Sequence, residues 1–182
     1  MHFCFIMIKT KLKEYSMDYI IKNRIVSLGA GSTVRDTNGN DLFIVKGKVF
    51  TFTKKKIIMD LDKKPLYQVR NKFFHLFLPK IYVCDANGKI LLKIKKRGLF
   101  NKNFDVVNPD GSLSDYCFEG DFFSWNFTIK QAGLPIAVVH RNFNIMKDSF
   151  TLSTTLVDQA PFLIALVIAF DNWVDKLNDS RR

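Results

Sequence analysis

Between Phe123 and Lys130 the chain alternates without a break. Phe123, Trp125, Phe127 and Ile129 are apolar, while Ser124, Asn126, Thr128 and Lys130 are polar. A period of two puts the first set on one side of a β-strand and implies a single buried face. Ile90, Leu92 and Ile94 repeat the pattern, with Lys93 and Lys95 pointing away from the core. Shorter apolar runs predict further strands near 18–22, 24–28, 42–46, 48–53, 56–60, 66–70, 73–77, 80–84, 103–107, 113–118, 134–140 and 150–157. The 18 Phe residues suit such a strand-rich chain, because aromatic rings pack well on a pleated surface.

A recurring turn unit separates several of these runs. Val34 to Val45 reads as an apolar run, Asp36-Thr37-Asn38-Gly39 and a second apolar run; Val83 to Ile94 repeats it around Asp85-Ala86-Asn87-Gly88. Looser versions surround Asp110-Gly111 and Gly133, and a further one, Asp60 to Leu66, has Pro65 where the turn is expected. Asn-Gly and Asp-Gly supply positive φ at low cost and mark hairpins. The preceding Asp can accept backbone N–H bonds within the turn, so these carboxylates read as structural rather than catalytic. Their spacing is too irregular for a solenoid and fits a meander of hairpins.

The alternation ends at Ala160. From there to Phe170 no residue carries a charge, a hydroxyl or an amide. A helix over about 159–177 is expected, with Asp158 as N-cap and Pro161 in the first turn, where a missing N–H costs little. The greasy part spans about 17 Å, too short for a bilayer core that needs roughly 20 apolar residues. It has no polar stripe to lie along a membrane surface, and Asp171 and Asp175 follow it at once. A helix apolar on all sides must be wrapped by protein, and a sheet closed around it removes both the exposed helix and the exposed strand edges. The expected fold is mainly β (α+β): a closed antiparallel barrel of about twelve strands around a buried hydrophobic C-terminal helix. At 182 residues and 47% hydrophobic composition, 17–182 is expected to form one domain. Residues 1–16 read as a weakly ordered extension, with Met17 an alternative start.

With the hairpin units and the terminal helix in hand, the chain resembles the LURP-one-related family of tubby-like proteins. The resemblance rests on Tyr19-Ile20-Ile21-Lys22, Ser27-Leu28-Gly29, the first turn unit through Phe50, Gly120 to Phe127, and the segment from Asp148 into the 160–170 helix. It implies a roughly twelve-stranded barrel around a buried helix. Its wider relatives include tubby proteins, which bind phosphoinositides at a basic face, and phospholipid scramblases. No motif transfers a lipid-contacting residue to a numbered position here.

Charge sharpens the functional expectation. The net charge is +11, and residues 1–104 hold 22 Lys+Arg against 7 Asp+Glu. Such an imbalance favours anionic partners. The candidate contacts are Lys54, Lys55 and Lys56, then Lys63 and Lys64, then Lys93, Lys95, Lys96 and Arg97. If they converge, they form a face for anionic phospholipid headgroups or phosphoinositides; otherwise they are solvated strand exteriors. Nucleic acid is the competing partner, although the clearest aromatic row faces inward rather than beside the lysines. A protein-interaction module and a small-ligand carrier are further alternatives, the last opposed by a helix that fills the barrel.

Catalysis is not expected. His2, His75 and His140 are isolated, no Cys or His pair has zinc-like spacing, and there is no Gly-x-Ser-x-Gly elbow. Gly29-Ala30-Gly31-Ser32 lacks the Lys of a phosphate loop and leads into a hairpin. Cys84 and Cys117 read as small core residues, and no metal or cofactor is implied. Three cysteines without a signal peptide point to a reducing cytoplasmic setting, with peripheral contact to membrane.

Overall fold

Four of the turn units fold in the same way. The Asp36 N–H donates to the Asn40 carbonyl (3.0 Å) and the Gly39 N–H returns to the Asp36 carbonyl (3.2 Å). The same two bonds recur at Asp60–Lys64, Asp85–Lys89 and Asn108–Ser112. In three of them a glycine sits near φ +90, the left-handed conformation that this corner requires. In the fourth, Lys63 takes that place at φ 66, and Pro65 lies beyond the turn at the start of the next strand. The aspartates act as expected: Asp85 accepts the N–H groups of Asn87 and Lys89, each at 2.9 Å, and Asp60 accepts that of Lys64 at 2.8 Å.

The computed structural model describes residues 16–22, 32–47, 55–72, 80–96, 104–121, 124–142 and 149–179. Within them lie β1 (Met17–Lys22), β2 (Ser32–Arg35), β3 (Asp41–Gly47), β4 (Lys56–Met59), β5 (Pro65–Asn71) and β6 (Lys80–Asp85). They are followed by β7 (Ile90–Lys96), β8 (Phe104–Val107), β9 (Tyr116–Asp121), β10 (Asn126–Gln131), β11 (Leu134–Asn142) and β12 (Ser149–Thr154). A 3-10 turn, Val157–Gln159, leads into α1 (Ala160–Asp179). The strands expected near 24–28, 48–53 and 73–77 lie outside the described residues. All twelve strands form one antiparallel sheet, ordered β8-β7-β6-β5-β4-β3-β2-β1-β12-β11-β10-β9.

The sheet nearly closes on itself. Among the described residues, β8 is tied to the segment leading into β9 by one bridge, Val107–Leu113, and by the Ser114 N–H donating to the Val106 carbonyl at 3.0 Å. Aromatic side chains cover the rest of the seam. The Phe104 ring of β8 meets Phe118 of β9 at 5.5 Å, and both meet Phe170 of α1, at 5.3 and 5.8 Å.

α1 runs through the middle, and no residue from Leu163 to Trp173 exposes more than 2% of its surface. It packs against β5, β6 and β7. Burying each large apolar side chain contributes about 2 kcal/mol, so the helix and the staves around it stabilise one another. Phe162 meets Tyr67 and Tyr116 near the tight turns, whereas Asp171 meets Lys56 where β4 begins. The helix therefore passes from a turn end, which holds the hairpin corners, to a loop end, where β3 and β5 finish and β4 and β6 start.

Three local expectations are corrected. Asp158 does not cap α1; it lies in the 3-10 turn, which starts after Leu156 without a side-chain cap. The tight turn carries the chain from β12 into the barrel, and the Thr154 hydroxyl accepts the Leu156 N–H at 3.0 Å. Trp125 is not a strand residue: at φ 58 it precedes β10, and its indole stacks on Phe150 at 4.4 Å with the planes 5° apart. Burial of the indole between α1 and β12 fixes this corner against the preference of a bulky residue for negative φ. Cys117, expected in the core, is exposed on β9, while Cys84 is buried.

That last difference is directly testable. Burial pushes the Cys84 thiol above its ordinary range, although nearby Arg70 and Lys55 pull the other way. In the folded protein at neutral pH, a maleimide should modify the Cys117 peptide within minutes and the Cys84 peptide only after denaturation. Equal labelling in peptide mass maps would contradict the buried placement of Cys84.

A basic outer face and an acidic turn end

The inward row of each strand dictates what faces out. Val69 and Asn71 on β5, Ile81 and Val83 on β6, and Leu92 and Ile94 on β7 are buried. The residues between them, Arg70, Lys80, Tyr82, Lys93 and Lys95, consequently lie on the outer surface. Register aligns them: Arg70 pairs with Tyr82, Tyr82 with Lys93, and Lys80 with Lys95, beside Asp105 of β8. The Arg70 guanidinium lies over the Tyr82 ring, 5.0 Å from its centre. Exposed Lys72 follows β5 and donates its N–H to the Lys80 carbonyl at 2.8 Å. Lys55 approaches from the β4 side, close enough for its charge to be felt at Cys84. Three adjacent strands thus present a cationic face with one aromatic ring, lying toward the loop end.

The candidate lysines divide among four places. Lys55, Lys93 and Lys95 belong to this face, and the Lys93 ammonium donates to the Pro109 carbonyl. Lys63 and Lys64 sit in the β4–β5 turn, at the opposite end of the barrel. Lys54, Arg97 and the side chain of Lys96 lie outside the described residues. Lys56 points inward: it is 7% exposed, and its Nζ lies 3.1 Å from Asp171 Oδ2 of α1. Period-two alternation explains why Lys56 parts from Lys55, because successive residues along a strand face opposite sides of the sheet. Its ammonium is therefore engaged inside the barrel, not at the surface where a headgroup would dock.

Sequence reading missed Arg70, Lys72 and Lys80. None of them belongs to a run of adjacent cations, so no cluster marks it. The signal was their position between Val69 and Asn71, and just before Ile81-Tyr82-Val83. Only the β5–β6–β7 ladder brings them together.

The turn end gathers carboxylates, although exposed Lys63, Lys64 and Lys89 share its corners. Asp36, Asp60, Asp62, Asp85, Asp110 and Asp158 all lie there. Bonds from the Asn40 side chain and the backbone hold the Asp36 carboxyl below the usual range, and bonds from Ser112 do the same for Asp110. Both remain ionised at neutral pH. The large apolar side chains exposed among the described residues, Leu61, Leu113, Leu134 and Val157, are also at this end.

Residues 17–171, β1 through the buried part of α1, match the family model for LURP-one-related proteins. The chain belongs to the LURP-one-related family. Protein LURP-one-related 15 of Arabidopsis thaliana is 22% identical over 87% of this chain and 80% of its own length. An X-ray structure of an Arabidopsis thaliana protein shares the fold, with a TM-score of 0.60 at 21% identity, covering 87% of this chain and 91% of that one. The LURP-one-related barrel described here keeps the expected helix-filled architecture. Among the described residues, no helix is long and apolar enough to cross a membrane.

Proposed function

We propose that this LURP-one-related barrel is a non-catalytic module that docks on anionic phospholipid headgroups, phosphoinositides among them, through the outer face of β5–β7. The observation that supports this reading is the meeting of Arg70, Lys72, Lys80 and Lys95 on one outward surface, with the acidic turns at the other end of the molecule. Ammonium and guanidinium groups donate charge-assisted hydrogen bonds to phosphate oxygens. Each cation near an anionic bilayer contributes about 1 kcal/mol.

Vesicle co-sedimentation provides the test. Binding should require phosphatidylserine or a phosphoinositide, should weaken with salt, and should be absent on phosphatidylcholine alone. Lys72→Ala with Lys95→Ala should lower the affinity by about 2 kcal/mol, roughly thirtyfold. Lys63→Ala with Lys64→Ala removes the same charge from the far end and should leave binding unchanged. Equal losses in the two pairs would refute the assignment of the face. Salt-dependent binding to single-stranded RNA without vesicle binding would instead assign the face to nucleic acid.

A further inference from the structure

The turn end carries a second surface that headgroup binding does not use. Leu113 is 72% exposed, Leu134 69% and Val157 50%, on corners that a polar residue would serve equally well. The three belong to consecutive stations around the rim. Ala132, two residues before Leu134, donates its N–H to the Asp115 carbonyl at 2.9 Å, which ties the β10–β11 turn to the segment carrying Leu113. The Thr154 hydroxyl donates to the Ile136 carbonyl at 2.8 Å, tying the β11 start to the strand that leads to Val157. Asp110, Asp115 and Asp158, all exposed, alternate with the apolar side chains along this rim.

We propose that this acidic, leucine-bearing rim docks a segment of another protein that presents apolar side chains interleaved with Lys or Arg. Apolar anchors ringed by charge are the usual make-up of an interaction patch, and the sign of the ring selects the partner. An anionic bilayer is repelled by these aspartates. A second copy related by a two-fold axis would set acidic rim against acidic rim, so like charges oppose that pairing. Lys93 reaches this neighbourhood, but its ammonium is held by the Pro109 carbonyl, and Lys130 is paired with Glu119. At the corners that carry Leu113, Leu134 and Val157 the charge on offer is thus negative, while exposed Lys63, Lys64 and Lys89 stand at the β4–β5 and β6–β7 corners of the same end.

The probe is a fluorescent synthetic amphipathic helix with one leucine face and one lysine face, followed by anisotropy against the full chain. Its counterpart carries glutamate in place of every lysine. The lysine peptide should bind with salt-sensitive affinity and the glutamate peptide should not. Leu113→Ser with Leu134→Ser should weaken binding at least tenfold without altering the melting temperature, since buried interface anchors commonly carry that much. Asp115→Asn with Asp158→Asn, a second variant independent of the leucines, should weaken binding and flatten its salt dependence. Lys72→Ala with Lys95→Ala should leave peptide binding intact, which separates this surface from the basic face.

Unchanged binding in the leucine and aspartate variants overturns the proposal, as does equal binding of the glutamate peptide. Concentration-dependent self-association that the leucine variant abolishes would assign the rim to a second copy. Loss of vesicle binding in the leucine variant would assign it to lipid.

Discussion

Replacing Asp171 with Ala should lower the stability of the barrel by about 3–5 kcal/mol, because it leaves a lysine charge buried without its partner. Lys56 stands at the first position of β4 with its side chain turned into the barrel, and the side chains of the pair are only 9% and 3% exposed. Water cannot take over the role of the carboxylate. The pair also joins the inner helix to a strand 115 residues earlier in the chain, so its loss loosens the loop end of the barrel. Urea unfolding measures the effect. Lys56→Met alone should also destabilise the barrel, since it takes the ammonium away from a carboxylate that is only 3% exposed. The double variant Lys56→Met, Asp171→Leu should recover most of the loss, because replacing both charges removes the desolvation penalty along with the attraction. A cost below about 1 kcal/mol for Asp171→Ala would mean that the pair is solvated like a surface salt bridge. The double variant should also bind anionic vesicles like the parent, because Lys56 does not reach the outer face.

The barrel was legible in the sequence because two of its signals are local. An uncharged helix that can neither span nor lie on a bilayer must be wrapped, and Asn-Gly corners between alternating runs supply the hairpins to wrap it. The near-closure at β8 and β9 was not legible. Nothing in Phe104 or Phe118 distinguishes a ring that covers a seam from one on a paired strand. The cap of α1 was misassigned because Asp158 has the chemistry of a cap, whereas the path from β12 into the barrel takes the tighter 3-10 turn first. The candidate site was read less well than the fold for a related reason. Clusters such as Lys54-Lys55-Lys56 stand out in a sequence, but alternation sends neighbouring residues to opposite faces. Arg70, Lys80 and Lys95 are invisible as a group until the β5–β6–β7 register places them side by side. The segregation of Asp to the turn end follows from turn chemistry alone, since the residue that best caps these corners is also an anion. A barrel whose described tight turns lie at one end then gathers carboxylates there without any functional demand. The basic face and the exposed leucines do not follow from turn chemistry.

Gly120→Ala should cost about 3–4 kcal/mol, lowering the melting temperature by roughly 10 °C. Gly120 lies in β9 opposite Phe127, at φ +137, a conformation that an L side chain rarely adopts. A Cβ there would lie 2.5 Å from the Asn126 carbonyl oxygen and 2.8 Å from the Phe127 Cα, both backbone atoms of the partner strand. Backbone strain alone accounts for about 1–3 kcal/mol, and the rest comes from pushing β10 away from β9. That displacement cannot stay local. Phe127 packs 5.1 Å from Phe170 on α1 and 5.7 Å from Phe118, so a shift of its backbone disturbs the aromatic cluster that covers the β8–β9 seam. Gly39→Ala is the matched control: its φ of +88 is also left-handed, but nothing lies within 4 Å of the added methyl. It should cost only about 1 kcal/mol of conformational strain. Thermal unfolding of the two variants, followed by near-UV circular dichroism of the buried tryptophans, separates the contributions. If Gly120→Ala proves no worse than Gly39→Ala, then β9 does not approach β10 as closely as described, and the seam is held by something other than the packed rings.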